Sequence, residues 1–171
     1  MEVLRSMRHV HRRRRRLTQR PTSPGPSRSI LLFVVALLAT ACDEPDPDLV
    51  PDAELQAQLG LDERDRVHTV GLTTGLVERA EPDSIAVAPG EYVQFVSRDW
   101  LVHEVAFDME ALTPEGRTFL ERTGQVASPP LLQRGARFVL SFVDAPPGRY
   151  PFSLAGNRDA GQGVIVVASP S

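Results

Sequence analysis

Gly148-Arg149-Tyr150-Pro151-Phe152-Ser153-Leu154-Ala155-Gly156-Asn157-Arg158-Asp159-Ala160-Gly161-Gln162-Gly163-Val164-Ile165-Val166-Val167 is the stretch that decides the fold. It follows a Pro146-Pro147 turn signal and reads as a strand, a polar Gly-rich loop and a closing strand. Tyr150, Phe152 and Leu154 alternate with smaller or polar residues, so they share one face of a strand. Val164 to Val167 is an apolar, β-branched run suited to a strand inside a sheet. Gly156, Gly161 and Gly163 do not make a phosphate loop, because no helix follows them.

Working outward, the upstream chain carries the same period. Val67–Leu72, Ser84–Ala88, Tyr92–Ser97, Leu101–Phe107 and Phe138–Val143 are the further strands expected, with a Pro89-Gly90 turn between the second and third. Leu101, His103, Val105 and Phe107 fall on one face of theirs. One helix interrupts near 113–123, with Thr113 as its cap, Pro114 at its first position, Phe119 and Leu120 inward, and Gly124 as its stop. About seven short strands separated by turn signals predict an all-β antiparallel sandwich.

The 171-residue chain has room for one such domain and extra segments. Its formal charge of −3 hides an asymmetry. Nine arginines precede Cys42, against Glu2 alone among the acids; 21 acidic residues and 10 arginines follow it. An acidic body argues against binding nucleic acid or anionic lipid through its surface. The Arg12–Arg16 run is followed by Ile30–Ala41, an uncharged apolar stretch shorter than the roughly 20 residues of a spanning helix. A basic region, a short apolar core and a small-residue site form a secretory signal.

That site, Leu38-Ala39-Thr40-Ala41-Cys42, resembles a bacterial lipobox, with alanine where leucine is commoner three residues before the cysteine. The resemblance implies lipidation of Cys42, cleavage before it, and attachment to a membrane on the periplasmic or other extracytoplasmic side. Ordinary secretion with a free thiol is the alternative. Cys42 is the only cysteine, so no intrachain disulfide can brace the exported domain. Three regions result: a signal peptide over 1–41, an acidic Pro-rich tether over 42–65 with a short helix between Pro51 and Gly60, and a sandwich over 66–171.

From Ser84 to Ala168 the motifs resemble those of the cupredoxins, the blue copper domains. The matching stretches are Ile85–Phe95 around Pro89-Gly90, Ser97–Phe107, Gly148-Arg149-Tyr150-Pro151-Phe152 and Gly163–Val167, in the family's order. The resemblance implies a Greek-key β-sandwich and places His103 on the first copper histidine. It places Leu154 at the cysteine position, Asn157 at the second histidine and Gln162 near the axial methionine. A type 1 site needs two imidazoles and a thiolate. Leucine offers no lone pair, so the sequence predicts a degenerate site and no copper cofactor. The alternative is a copper-binding electron-transfer protein with a non-standard ligand set that includes His103.

His103 has three readings. It is a histidine at the sandwich mouth bonded to Asn157 or a backbone carbonyl; part of a weak metal site with Asp99, Glu104 or Met109; or part of a small-ligand pocket with Trp100 and Asn157. His68 reads as an exposed strand residue and Met109 as packing. Ser153, His103 and Asp159 lack the elbow and spacing of a catalytic triad, so a non-enzymatic module is expected. Trp100, His103 and Asn157 form its candidate contact surface toward an unknown protein or small ligand. An interaction domain working through its sheet faces or edges is a further alternative.

Overall fold

The computed structural model describes residues 47–169. The signal-peptide and Cys42 expectations lie outside the described residues. Eight strands form: β1 (Val67–Thr74), β2 (Glu78–Glu81), β3 (Ser84–Val87), β4 (Tyr92–Ser97), β5 (His103–Phe107), β6 (Arg137–Ser141), β7 (Gly148–Gly156) and β8 (Gly161–Val167). They make two four-stranded sheets, ordered β2-β1-β4-β6 and β3-β8-β7-β5. The expected sandwich is present, with one strand more than about seven.

Its ladders are not all antiparallel. β1 pairs with β4 in parallel, as does β3 with β8, and the other four pairs are antiparallel. The chain reaches each parallel partner by a crossover rather than a hairpin, which strand periodicity does not reveal.

Alternation on the facing strands builds the main core. Val70 and Leu72 of β1, Val93 and Phe95 of β4, Val105 and Phe107 of β5, and Phe152, Leu154 and Ile165 of β7 and β8 are all buried in it. Phe152 sets its ring edge-on to Phe95 at 5.0 Å between centroids, joining the two sheets. The inserted helix α2 (Pro114–Thr123) closes one end of the sandwich. Thr113 Oγ1 caps it by accepting from Gly116 N–H, and Gly124 ends it in the left-handed conformation at φ 68°. Its Phe119 meets Phe142 and Tyr150 there, and the Tyr150 hydroxyl donates to Pro146 O at 2.7 Å.

The segment taken from sequence as a tether is folded onto the domain from Pro47 onward. A 3-10 turn spans Pro47–Leu49, and α1 covers Ala53–Leu59 with Asp52 as its cap and Gly60 as its stop. Leu55 and Leu61 bury themselves with Val67, Tyr92 and Val139 on the outer face of the β2-β1-β4-β6 sheet. Asp52 also pairs with Arg137 Nη1 at 2.6 Å. The boundary expected at residue 66 therefore falls inside a packed unit, because Leu55 and Leu61 provide the apolar cover that β1, β4 and β6 need on that face. Both cores are built from residues between Leu55 and Val167.

Candidate functional site

Four loops converge at the end of the sandwich opposite α2: those joining β1 to β2, β4 to β5, α2 to β6, and β7 to β8. His103 opens β5 there, opposite Gly156 of β7 and bridged to Leu131 of the third loop. Its side chain is 1% exposed. Nδ1 lies 3.1 Å from Glu78 Oε2, and Nε2 lies 2.9 Å from Asp99 Oδ1.

Glu78 is as deeply buried as His103, at 1% exposure. Its Oε1 accepts from the backbone N–H of Asn157 at 2.9 Å and of Arg158 at 3.1 Å. Oε2 accepts from the Thr74 hydroxyl at 3.0 Å as well as facing His103. Three donors and the His103 ring thus surround this carboxylate. Asp99 accepts from Thr74 N–H and Leu101 N–H at 2.9 and 2.8 Å. Each ring nitrogen of His103 thus faces a carboxylate oxygen. Burial pushes the Asp99 carboxyl up, but the N–H groups of Leu101 and Thr74 and the His103 ring outweigh it and hold the carboxyl below its ordinary value. Among the described residues no buried side-chain nitrogen or oxygen lacks a partner.

The sequence reading placed His103 correctly at the mouth but gave it the wrong partners. Asn157 contributes its peptide N–H to Glu78, not its side chain to His103; its Nδ2 donates to Val102 O at 3.4 Å. The partners are instead Glu78, which no local pattern in the sequence marks, and Asp99, in the role of a hydrogen-bond partner and not of a co-ligand. Leu154 is buried opposite Val105 in the core. Gln162 is exposed opposite Ser153, on the other face of β7 and β8 from Leu154. Asn157 is exposed in the turn after β7. The four family ligand positions therefore do not point to one centre.

A type 1 copper ion does not fit these residues. Leu154 has no donor atom, and both nitrogens of His103 already face carboxylates. Among the described residues no group of three His, Cys, Asp or Glu side chains is arranged to hold a metal ion. Glu104 is exposed, Met109 packs against the core, and neither is among the hydrogen-bond partners of His103. His68 is half-buried rather than exposed, with Nε2 at 2.7 Å from Glu91 Oε2. A cleft of about 730 Å³ runs between Val77–Asp83 and Ala160–Gln162, away from Trp100.

Around the buried network the surface is apolar and basic. Trp100 is 74% exposed, Leu76 is 89% exposed, and Leu101 and Leu132 are exposed too. These residues sit on loops that the network ties together: Asp99 adjoins Trp100 and holds Thr74, while Leu132 follows the residue bridged to His103. Arg98, Arg134 and Arg158 are exposed on the same loops.

No protein-family model and no curated protein matches the sequence. The chain is similar to several solved structures. One is a reduced Cu(I) form of an amicyanin mutant, at 19% identity, TM-score 0.42, and 61% of this chain and 84% of that one covered. Another is a mutant plastocyanin of fern, at 23% identity, TM-score 0.44, and 58% and 99% covered. A third is a Cu-containing nitrite reductase from Thermus scotoductus SA-01, at 21% identity and TM-score 0.45, with 71% of this chain but 28% of that one covered. The proteins to which the chain is similar are thus cupredoxins, the family that its own motifs resemble.

Proposed function

We propose that this chain is an exported, lipid-anchored domain with a cupredoxin-like sandwich and no type 1 copper, acting as a non-catalytic binding module. Its contact surface is the loop end around Trp100, His103 and Asn157. One observation carries the reading: Glu78 and Asp99 occupy both ring nitrogens of the histidine that the family resemblance would assign to metal. Copper on His103 would first have to displace a carboxylate, either the buried Glu78 at Nδ1 or the partly exposed Asp99 at Nε2, each held by further donors. The network leaves no free imidazole for proton transfer, and Ser153 donates to Ala106 O rather than to a base. What the arrangement does instead is fix four loops, three of which carry exposed apolar side chains, which is what a rigid contact surface requires.

Purified protein incubated with Cu(II) is expected to stay colourless and to lose the metal on desalting. An intense visible band that disappears in His103→Ala would overturn the copper-free reading. A photo-crosslinker placed at position 100 in intact cells is expected to capture neighbours that the same group at Arg149, near the α2 end, does not. Equal yields from the two positions would remove the loop end as the contact surface.

A further inference from the structure

We propose that the loop end docks on an anionic lipid bilayer, through Trp100, Leu76 and Leu132 with Arg98, Arg134 and Arg158. This deepens the reading above and rests on it, since it names the partner of that same surface.

The distribution of charge is the first support. The chain after Cys42 is strongly acidic, with 21 acids against 10 arginines. The four loops break that pattern. They carry Arg98, Arg134 and Arg158, and none of the three has a carboxylate in salt-bridge range among the described residues. Their acids are Asp99, which faces His103, and Asp159, which is exposed; Glu104, also exposed, lies just inside β5. Three arginines against two aspartates make this end locally basic, where the rest of the chain after Cys42 is strongly acidic. Arginine beside an exposed tryptophan and leucines matches a headgroup layer, where cations meet phosphate and the indole sits between polar and apolar zones.

The course of the chain is the second support. Arg137 lies opposite Val96 at the loop end of the β4–β6 ladder, and it grips Asp52 at the start of α1. The helix then leads away toward Leu61, which packs with Val67 and Tyr92 at the other end of the sheet. The described chain thus begins, at Pro47, five residues before a helix start held near the loop end. The five residue steps from Cys42 to Pro47 span at most about 18 Å. A lipid on Cys42 would hold this end, rather than the α2 end, close to the bilayer. The acyl chains supply the anchoring, and the loop end sets the orientation.

The test uses the chain from residue 42 onward with Cys42→Ser, so that neither lipid nor the Arg12–Arg16 run contributes. Trp100 is its only tryptophan, so fluorescence reports directly on this surface. Phosphatidylglycerol vesicles at low salt are expected to shift Trp100 emission to the blue and to sediment the protein, and phosphatidylcholine vesicles to do neither. Replacing Arg98, Arg134 and Arg158 together by Gln is expected to weaken binding roughly a hundred-fold, at about five-fold per charge. Arg117→Gln with Arg122→Gln, on α2, is expected to leave it unchanged. No shift with phosphatidylglycerol, or an equal loss in the α2 variant, would overturn the proposal. If position 100 then crosslinks to a protein in cells, the lipid assignment falls alone. If position 100 captures no more than position 149, the loop end falls with it.

Discussion

The carboxylate of Glu78 fills the volume that a side chain at position 156 would occupy. A Cβ on Gly156 would stand 2.6 Å from Glu78 Oε1 and 2.5 Å from Val102 O. Glycine here is a matter of space, since β7 must pass directly over a buried acid. Gly156→Ala is expected to force Oε1 off the Asn157 and Arg158 amides and to cost about 1–3 kcal/mol. Urea denaturation would measure it, and an unchanged midpoint would mean that the carboxylate has room to yield.

Removing the acid is expected to cost more. Glu78→Ala strands one ring nitrogen of His103 and two peptide N–H groups in the interior, a loss of about 3–5 kcal/mol. Glu78→Leu with His103→Leu removes both charges together. It is expected to lose clearly less than the sum of the two single changes, which a double-mutant cycle in urea would establish. Strict additivity would show that the two groups do not act as a pair.

Stability is expected to fall at both extremes of pH, for different reasons. The Asp99 carboxyl lies below its ordinary 3.8, where its N–H donors and His103 outweigh burial. The Asp52 carboxyl is likewise held down, by Leu55 N–H and then by Arg137. A depressed carboxyl contributes stability that is complete above its unfolded value and lost as pH falls through its folded one. The acid limb should therefore begin below about pH 4 and flatten in Asp99→Asn. Burial raises the Tyr150 phenol above 10.0, so its contribution is complete below that value and lost above it. Tyr150→Phe should remove that alkaline loss, as read by the urea midpoint against pH.

The docked helix is expected to behave as part of the domain. Leu55→Ala should cost about 2–5 kcal/mol and open residues 53–61 to protease. Arg137→Ala should cost less than about 1 kcal/mol and lose its effect at high salt, because the Asp52 pair is solvent-exposed. Equal protease resistance in Leu55→Ala and the parent would show that Leu55 does not hold the helix down.

Most of the sandwich was legible because its strands obey a two-residue period. Phe152 and Leu154 had to face one way, and they do. β2 was illegible for the same reason inverted. Its inward residue is Glu78, so Glu78-Arg79-Ala80-Glu81 shows no apolar alternation and reads as loop. The available clue was Gly75, a turn residue after an apolar β1 that lacked an antiparallel neighbour. The copper-ligand positions were legible only as a resemblance, and Leu154 alone carried the loss of the thiolate. That an acid from a distant strand would take the vacated imidazole has no local signal, because the partners are 25 residues apart. The docked helix showed its caps, Asp52 and Gly60, but the face receiving Leu55 exists only once β1, β4 and β6 are side by side.

The Glu78–His103–Asp99 chain also makes the barrel's two lids chemically unlike. Around Tyr150, Phe142 and Phe119 the closure is aromatic and carries no carboxylate for acid to titrate. At the other lid, the Glu78 carboxylate joins β2 to β5 and, with the backbone bond from Glu78 N–H to Asp159 O, to the 157–159 turn. Below about pH 4, as Asp99 gains its proton, the molecule should therefore open from one direction, with amide hydrogens near Thr74 and Leu101 exchanging while those near Phe142 remain protected.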